Sequence, residues 1–232
     1  MKEKTGIIFT ERHNFKMQLK DYIIYWYQIY RMHHQQKNTQ TAFISLINNH
    51  ILASPLANME LNDITARDCQ EFLTKEHIHG CKVKLKNHSK VGQPLSVHSI
   101  LKLRQILIAM FKQVAKEGLI NKNIAEDTES VPLPWHDNPV FTPETQHKFL
   151  QAVKHHRFYA AYVLMFYLVC RRSEILGLSW DSIDFRRNLL RIRQVLIIEN
   201  NTITLREQTK TKASIRTIPF SKGNKVYSSR MA

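Results

Sequence analysis

The stretch that decides the fold is Leu168-Val169-Cys170-Arg171-Arg172-Ser173-Glu174, which closes an apolar run beginning at Phe158. A run that is apolar all round predicts a central, buried helix with two arginines and a glutamate where it ends. Downstream, apolar and polar residues alternate with a period of two, which predicts short strands. The segment Thr209-Lys210-Thr211-Lys212 lies between two of these strands and is predicted to be a hairpin tip. A helix followed by a small sheet indicates an α+β domain.

The charge of the chain is strongly positive. Its 34 Lys and Arg residues outnumber 19 Asp and Glu residues, which gives a formal net charge of +15 and a pI near 9.8. Such a surplus favours a polyanionic partner, nucleic acid first and an anionic membrane second. Residues 139–232 hold 16 basic and 6 acidic residues, against 18 and 13 in residues 1–138, so the positive surface is expected to be densest in the second segment.

Several classes of protein are disfavoured by the sequence. The apolar run 158–170 is too short to span a bilayer, and the amino terminus lacks the long apolar region of a secretory signal. Three scattered cysteines form no CxxC pair and fit a reducing cytosol. The twelve histidines show no metal-ligand spacing with cysteine, so we expect no metal site.

Residues 15–118 are expected to form a helical domain. Apolar residues recur at three- and four-residue spacing in four segments, each typical of an amphipathic helix. Thr65 is predicted to cap the third helix, the fourth is predicted to begin at Ser96, and Gly118 is predicted to end it. Residues 119–140 contain three prolines and no period, which is typical of a linker.

Residues 141–220 are expected to form a second domain. Thr142-Pro143 restarts a helix, with threonine as N-cap and proline at the first helical position. The turn Glu199-Asn200-Asn201 joins two predicted strands, and a third strand follows the lysine segment. Residues 221–232 show no helical stripe and are expected to be an unstructured tail.

With Arg171 through Trp180, Asp184 and the Lys-Thr-Lys segment, the chain resembles the tyrosine recombinases of the phage integrase family. The sequences of residues 45–52, 61–65 and 111–120 are similar to that family's core-binding domain. The resemblance implies a mainly α fold with a small β-sheet. This fold comprises a helical SAM-like core-binding domain, a linker, and the amino-terminal part of an α+β integrase catalytic domain.

The resemblance also implies roles for individual residues. Arg171 matches the first catalytic arginine, Glu174 the acid that orients it, and Lys210 the general acid, with Lys212 as the reserve candidate. Guanidinium groups suit a phosphoryl transition state because they stay charged and donate bidentately. Two alternatives stay open: Arg171 and Arg172 could be helix-ending residues favoured by the helix dipole, and the lysines could be a solvated hairpin tip.

A basic loop is the second candidate nucleic-acid contact. Cys81 to Lys86 alternates lysines with apolar residues, so an extended segment would present the lysines on one side. The alternative is a solvated loop. The predicted DNA-binding residues are therefore Lys82, Lys84, Lys86, Lys90, Arg172 and Lys212.

The family's His-x-x-Arg motif and nucleophilic tyrosine are not found. The likeness stops after Phe220, and Tyr227 stands in a polar tail. We therefore expect a site-specific recombinase relative that is truncated and inactive as this chain. The alternatives are a non-catalytic accessory or decayed integrase fragment, and an unrelated basic helical regulator.

The expected partner is double-stranded DNA at the integration or excision site of a mobile element, with self-association on DNA as in the intact family. No cofactor, small-molecule substrate or membrane partner is expected. The expected location is the cytoplasm of a bacterium, at the nucleoid, with the protein encoded by the bacterium or a phage.

Overall fold

The structure, a computed structural model, describes residues 16–82, 84–85, 88–135, 137, 139–199, 202–207 and 215–220, without the side chains of residues 84–85 and 88–89. The chain divides into two compact units, residues 1–136 and residues 137–232. We call the first the helical unit and the second the mixed unit.

In its described residues the helical unit contains four α-helices, as the sequence predicts. They are α1 (Leu19–Trp26), α2 (Lys37–Leu46), α3 (Ala66–His79) and α4 (Val97–Lys116). Single π-helical turns at Tyr27–Arg31 and Ile47–Ile51 continue α1 and α2. A short antiparallel hairpin, β1 (Lys84–Leu85) and β2 (His88–Ser89), lies between α3 and α4.

The two predicted helix starts are confirmed. The Thr65 hydroxyl accepts from the Asp68 backbone N–H at 3.3 Å, and the Asp68 carboxylate accepts from the Thr65 N–H at 2.9 Å. These reciprocal bonds form a capping box at α3. At α4 the Ser96 hydroxyl accepts from the Ser99 N–H at 3.3 Å. Each cap satisfies a backbone donor that has no partner within the helix.

Gly118 ends α4, also as predicted. Its φ of +75° is a left-handed conformation that glycine adopts without a steric cost. The Gly118 N–H donates to the Ala115 carbonyl at 3.0 Å, and the Leu119 N–H donates to the Val114 carbonyl at 3.2 Å. This pair of bonds is the Schellman motif, which turns the chain back against the helix.

The apolar stripes of the four helices meet in one core. Its largest fully buried side chains come from α1 and α4 and from the turn after α2; they are Tyr22, Trp26, Leu19, Ile23, Ile51, Ile100, Leu103, Leu107, Met110 and Phe111. Burial of aromatic and aliphatic side chains on this scale fixes the relative positions of the helices.

The segment after α4 packs more than a linker would. Ala125, in the 3₁₀ turn Ile124–Asp127, is fully buried against the helical core. Arg104 of α4 donates to the Thr128 hydroxyl at 2.9 Å and to its carbonyl at 2.6 Å. Residues 119–131 therefore belong to the helical unit, which the absence of a helical period in the sequence did not indicate.

In its described residues the mixed unit combines three α-helices with short antiparallel strands, and together with the helical unit this confirms the predicted mainly α fold with a small β-sheet. The helices are α5 (Pro143–Ala152), α6 (Tyr159–Leu168) and α7 (Arg172–Leu176). The strands are β3 (Ile183–Asp184), β4 (Leu189–Ile192), β5 (Val195–Glu199), β6 (Thr202–Arg206) and β7 (Arg216–Pro219). They form a three-stranded sheet in the order β3-β4-β7 and a separate β5-β6 hairpin.

The helix predicted over residues 158–170 is present as α6, but it is shorter and less buried than expected. Helix α6 ends at Leu168, and its residues Val163 and Leu168 are buried while Tyr167 is 52% exposed. One side of α6 packs on α7 and the three-stranded sheet, and Tyr162 and Phe166 on another side pack against Phe149 of α5. The remaining apolar residues keep partial exposure. A uniformly apolar run cannot show which sides will be covered.

The prediction of a lysine-tipped hairpin also needs correction. In the part of the chain that the structure describes, β7 pairs with β4, and β6 pairs with β5. The described parts of β6 and β7, which flank this segment in the sequence, therefore do not pair with each other. Both lysines lie outside the described residues, so their own positions are not tested.

Gly177 allows α7 to approach β5 closely. A β-carbon at this position would lie 2.8 Å from the Val195 Cα and 2.8 Å from the Leu196 nitrogen. Those distances are shorter than any side chain tolerates, so glycine is needed where α7 ends. The contact fixes the direction of α7, which carries Glu174.

Candidate nucleic-acid interface

Arg171 lies at the start of α7, not at the end of the preceding helix. Val169 takes a left-handed conformation with φ 50° and ends α6, and Arg171 is the N-cap of α7. A guanidinium at a helix amino terminus gains nothing from the helix dipole, which favours anions there. The alternative that Arg171 is a helix-ending residue favoured by the dipole is therefore excluded.

The Val169 backbone predicts a stabilising substitution. A β-branched residue at positive φ is strained, and the Val169 side chain is 83% exposed, so little packing compensates. We expect Val169→Gly to raise the free energy of unfolding of the mixed unit by about 1 kcal/mol after the entropic cost of glycine. Urea unfolding measures this. Val169→Ala keeps the β-carbon and is the control; an equal gain in that variant would contradict the strain argument.

Glu174 is the centre of the candidate site. Its side chain is 1% exposed and accepts four hydrogen bonds from two arginines. The Arg171 backbone N–H donates to Oε2 at 2.9 Å, and Arg171 Nη1 donates to Oε1 at 3.0 Å. Arg216 Nη1 donates to Oε1 at 3.1 Å, and its Nη2 donates to Oε2 at 2.9 Å. A buried carboxylate with this many donors holds both guanidinium groups in place.

These bonds keep Glu174 ionised. Hydrogen bonding from Arg216, joined by the bonds from Arg171, lowers the pKa of Glu174 to about 2, although burial opposes the shift. The carboxylate thus stays negative across the physiological range. The Arg171 side chain, in contrast, is 70% exposed, so its guanidinium remains accessible to an anion from solvent.

Arg216 is the functional residue that the sequence reasoning missed. In the register of the sheet it pairs with Ile192, which is fully buried, so its side chain leaves the inner face of β7 toward Glu174. The Cys170 thiol lies 3.7 Å from Arg216 Nη2, and burial raises the pKa of that thiol. The sequence pattern that could have identified Arg216 is the alternation in Ile215–Pro219, because it places Arg216 on the same face of the strand as the apolar Ile218.

The basic loop is placed in part. Lys82 and Lys90 are exposed, and the base of their loop is closed by backbone bonds of 3.0 Å from Cys81 to Gln93 and from Gly92 to Cys81. The loop therefore ends beside the start of α4. Lys84 lies in β1, but its side chain and all of Lys86 are outside the described residues. Arg172 is exposed on the first turn of α7.

Helix α4 carries a basic stripe that the sequence reasoning did not single out. Its solvent-facing residues are spaced by three, four or seven positions, which places them on one side of the helix; they are His98, Lys102, Gln105, Lys112 and Lys116. We call this set the α4 stripe. The helical spacing that predicted the apolar face of α4 also predicts that these residues lie on the opposite, solvent-facing side.

Two other kinds of site are absent from the described residues. Among them no group of three or more His, Cys, Asp or Glu side chains is arranged to hold a metal ion. Within the same residues, no helix combines the length and apolar character that crossing a membrane requires.

Comparison with known proteins shows what this chain is similar to. Residues 18–77 match the family described as phage integrase, N-terminal SAM-like domain. A "Tyrosine recombinase XerC-like" protein of Caldanaerobacter subterraneus subsp. tengcongensis is 29% identical over 186 residues, which cover 74% of this chain and 44% of that protein. The chain thus spans less than half the length of this relative.

Solved structures show the same fold. The Tn1549 transposon integrase in complex with a circular intermediate DNA gives a TM-score of 0.73 at 19% identity. The match covers 92% of this chain and 64% of the Tn1549 integrase chain. A lambda integrase dimer bound to a COC′ core site gives a TM-score of 0.60 at 17% identity, and the match covers 83% of this chain and 49% of the lambda integrase chain. The fold of this chain is thus the fold of these solved integrases. The chain is similar to tyrosine recombinases of the phage integrase family, in line with the resemblance seen in its sequence.

Proposed function

We propose that this chain binds duplex DNA and supplies the Arg171 side of a tyrosine-recombinase active site. The reaction class is DNA strand cleavage and rejoining in the integration or excision of a mobile element. The observation that carries the proposal is the exposed Arg171 guanidinium, held by the buried Glu174 carboxylate. The solved integrases that share the fold are complexes with DNA, which supports the choice of partner.

The proposed chemistry follows from the charge of the transition state. In this class of reaction a tyrosine hydroxyl attacks the phosphodiester, forms a 3′-phosphotyrosyl bond and releases the 5′ oxygen. The transition state carries extra negative charge on the nonbridging oxygens, and a fixed guanidinium stabilises that charge. Arg171 fills this role, Glu174 orients it, and Lys210 protonates the departing oxygen. The role of Lys210, with Lys212 in reserve, rests on the family resemblance. Arg172 and Lys212 would position neighbouring phosphates.

The helical unit is proposed to provide the main DNA-binding surface. We assign the α4 stripe and the exposed Lys82 and Lys90 together to one basic surface, because Gln93, which closes the base of the loop, comes shortly before the Ser96 N-cap of α4. Lysine and polar side chains along one helix suit a DNA backbone or groove. Residues 15–118 would act as the core-binding domain and residues 141–220 as catalytic scaffold, with self-association on DNA at the bacterial nucleoid.

Salt dependence tests the proposal. If about six phosphates are neutralised, a plot of log K against log salt should have a slope near −5. Fluorescence anisotropy with a labelled 30-base-pair duplex between about 50 and 200 mM salt measures this slope. An affinity that stays constant over this range would contradict DNA binding by the basic surface.

A further inference from the structure

The negative charge of Glu174 offsets the positive charge of its neighbour Arg171. A guanidinium paired with a carboxylate forms a locally neutral pair, and a neutral pair attracts a phosphate weakly. Arg171 and Glu174 alone would be such a pair, with Arg171 Nη1 only 3.0 Å from the carboxylate. A second positive group is needed if Arg171 is to keep a net positive charge for an anion.

Arg216 has the geometry of that second group. It meets both carboxylate oxygens through two parallel N–H donors, at 3.1 Å and 2.9 Å, which is the bidentate arrangement of a strong ion pair. Arg171 uses one guanidinium nitrogen, and its other contact is through the backbone. The hydrogen bonds from Arg216 are also the largest single cause that lowers the pKa of Glu174.

Exposure separates the roles of the two arginines. The Arg216 side chain is 33% exposed and leaves the inner face of β7, whereas the Arg171 side chain is 70% exposed. We propose that Arg216 is a positioning residue that neutralises Glu174, so that the Arg171 charge is available to a DNA phosphate. This inference rests on the proposed function and assigns a role to a residue outside the Arg171–Glu174 pair.

Salt slopes of intact variants test this role. Arg171→Met should reduce the magnitude of the slope by about 1, since one phosphate contact is lost. Arg216→Met should reduce it by about the same amount, because the unpaired Glu174 then cancels the Arg171 charge. The double variant Glu174→Gln with Arg216→Met should return the slope to that of the unmodified chain, and Arg216→Lys should keep it.

A matched arginine–glutamate pair controls for total charge. Arg67 and Glu71 form an exposed pair at 3.4 Å on α3, so Arg67→Met removes the same charge without a buried carboxylate. Arg67→Met should leave the slope unchanged. Thermal unfolding identifies conditions under which every variant is folded. A purely structural role for Arg216 predicts no recovery in the double variant.

The outcomes separate the inference from the function it rests on. A slope for Arg216→Met equal to that of the unmodified chain, or a double variant as weak as Arg216→Met, would overturn the inference alone. An equal loss in Arg67→Met would also overturn it, since total charge would then explain the effect. A flat salt dependence of the unmodified chain would overturn the proposed function together with the inference.

Discussion

Acidification from pH 5 to pH 2 is expected to remove about 3 kcal/mol from the free energy of unfolding of the mixed unit through Glu174 alone. The pKa of this carboxyl is about 2 in the folded chain, against an ordinary value of 4.5. Above pH 5 the group is ionised in both states, so the full stabilisation is present. As the pH falls, the unfolded chain takes up the proton first, and the stabilisation is lost.

Glu174→Gln isolates this contribution. At pH 7 the variant should lose about 3 kcal/mol, because Arg171 and Arg216 then share a neutral acceptor. The difference between the two proteins should shrink toward zero near pH 2. Hydrogen exchange of the β4 and β7 amides in urea reports on this unit. Asp181→Asn alters an exposed carboxylate of the same unit and should have little effect. A difference that does not change with pH would contradict the proposed ionisation.

Neutralising the α4 stripe is expected to weaken DNA binding on the order of 100-fold at 100 mM salt. The triple variant Lys102→Gln, Lys112→Gln and Lys116→Gln removes three charges from one side of α4, and about 3 should be lost from the magnitude of the salt slope. Gln is a good helix former, so the helix should be retained.

A second triple variant carries the same change of charge elsewhere. Lys75, Lys148 and Lys154 are exposed on α3, on α5 and just after α5, and their replacement by Gln should leave most of the affinity. Anisotropy with the 30-base-pair duplex compares the two proteins. Equal losses in both would mean that total charge, and not the α4 stripe, determines binding.

Local signals in the sequence predicted the local structure well. Thr65, Ser96 and Thr142 cap helices, and Gly118 ends one, because these structures depend on residues only a few positions apart. The Arg171–Glu174 contact was predictable for the same reason, since the two residues are three positions apart at a helix start.

Contacts between residues far apart in the chain could not be predicted from the sequence. The pairing of β7 with β4 joins residues far apart in the chain, and an alternating pattern cannot choose between β4 and β6 as partner. The role of Arg216 depends on that pairing, because only the β4 register directs its side chain to Glu174. Burial of Ala125 likewise depends on a tertiary contact with α4 that composition does not show.

Site-directed crosslinking tests the central claim, that duplex DNA lies along the α4 stripe. Cys69, Cys81 and Cys170 are buried, so a single exposed cysteine at Gln105 in the stripe can be labelled with a photoactivatable benzophenone. We expect irradiation with a labelled duplex to give a covalent protein–DNA product that excess unlabelled duplex suppresses. The same label on exposed Thr74 of α3 should give little product. Equal yields at both positions, or no product at Gln105, would contradict the account.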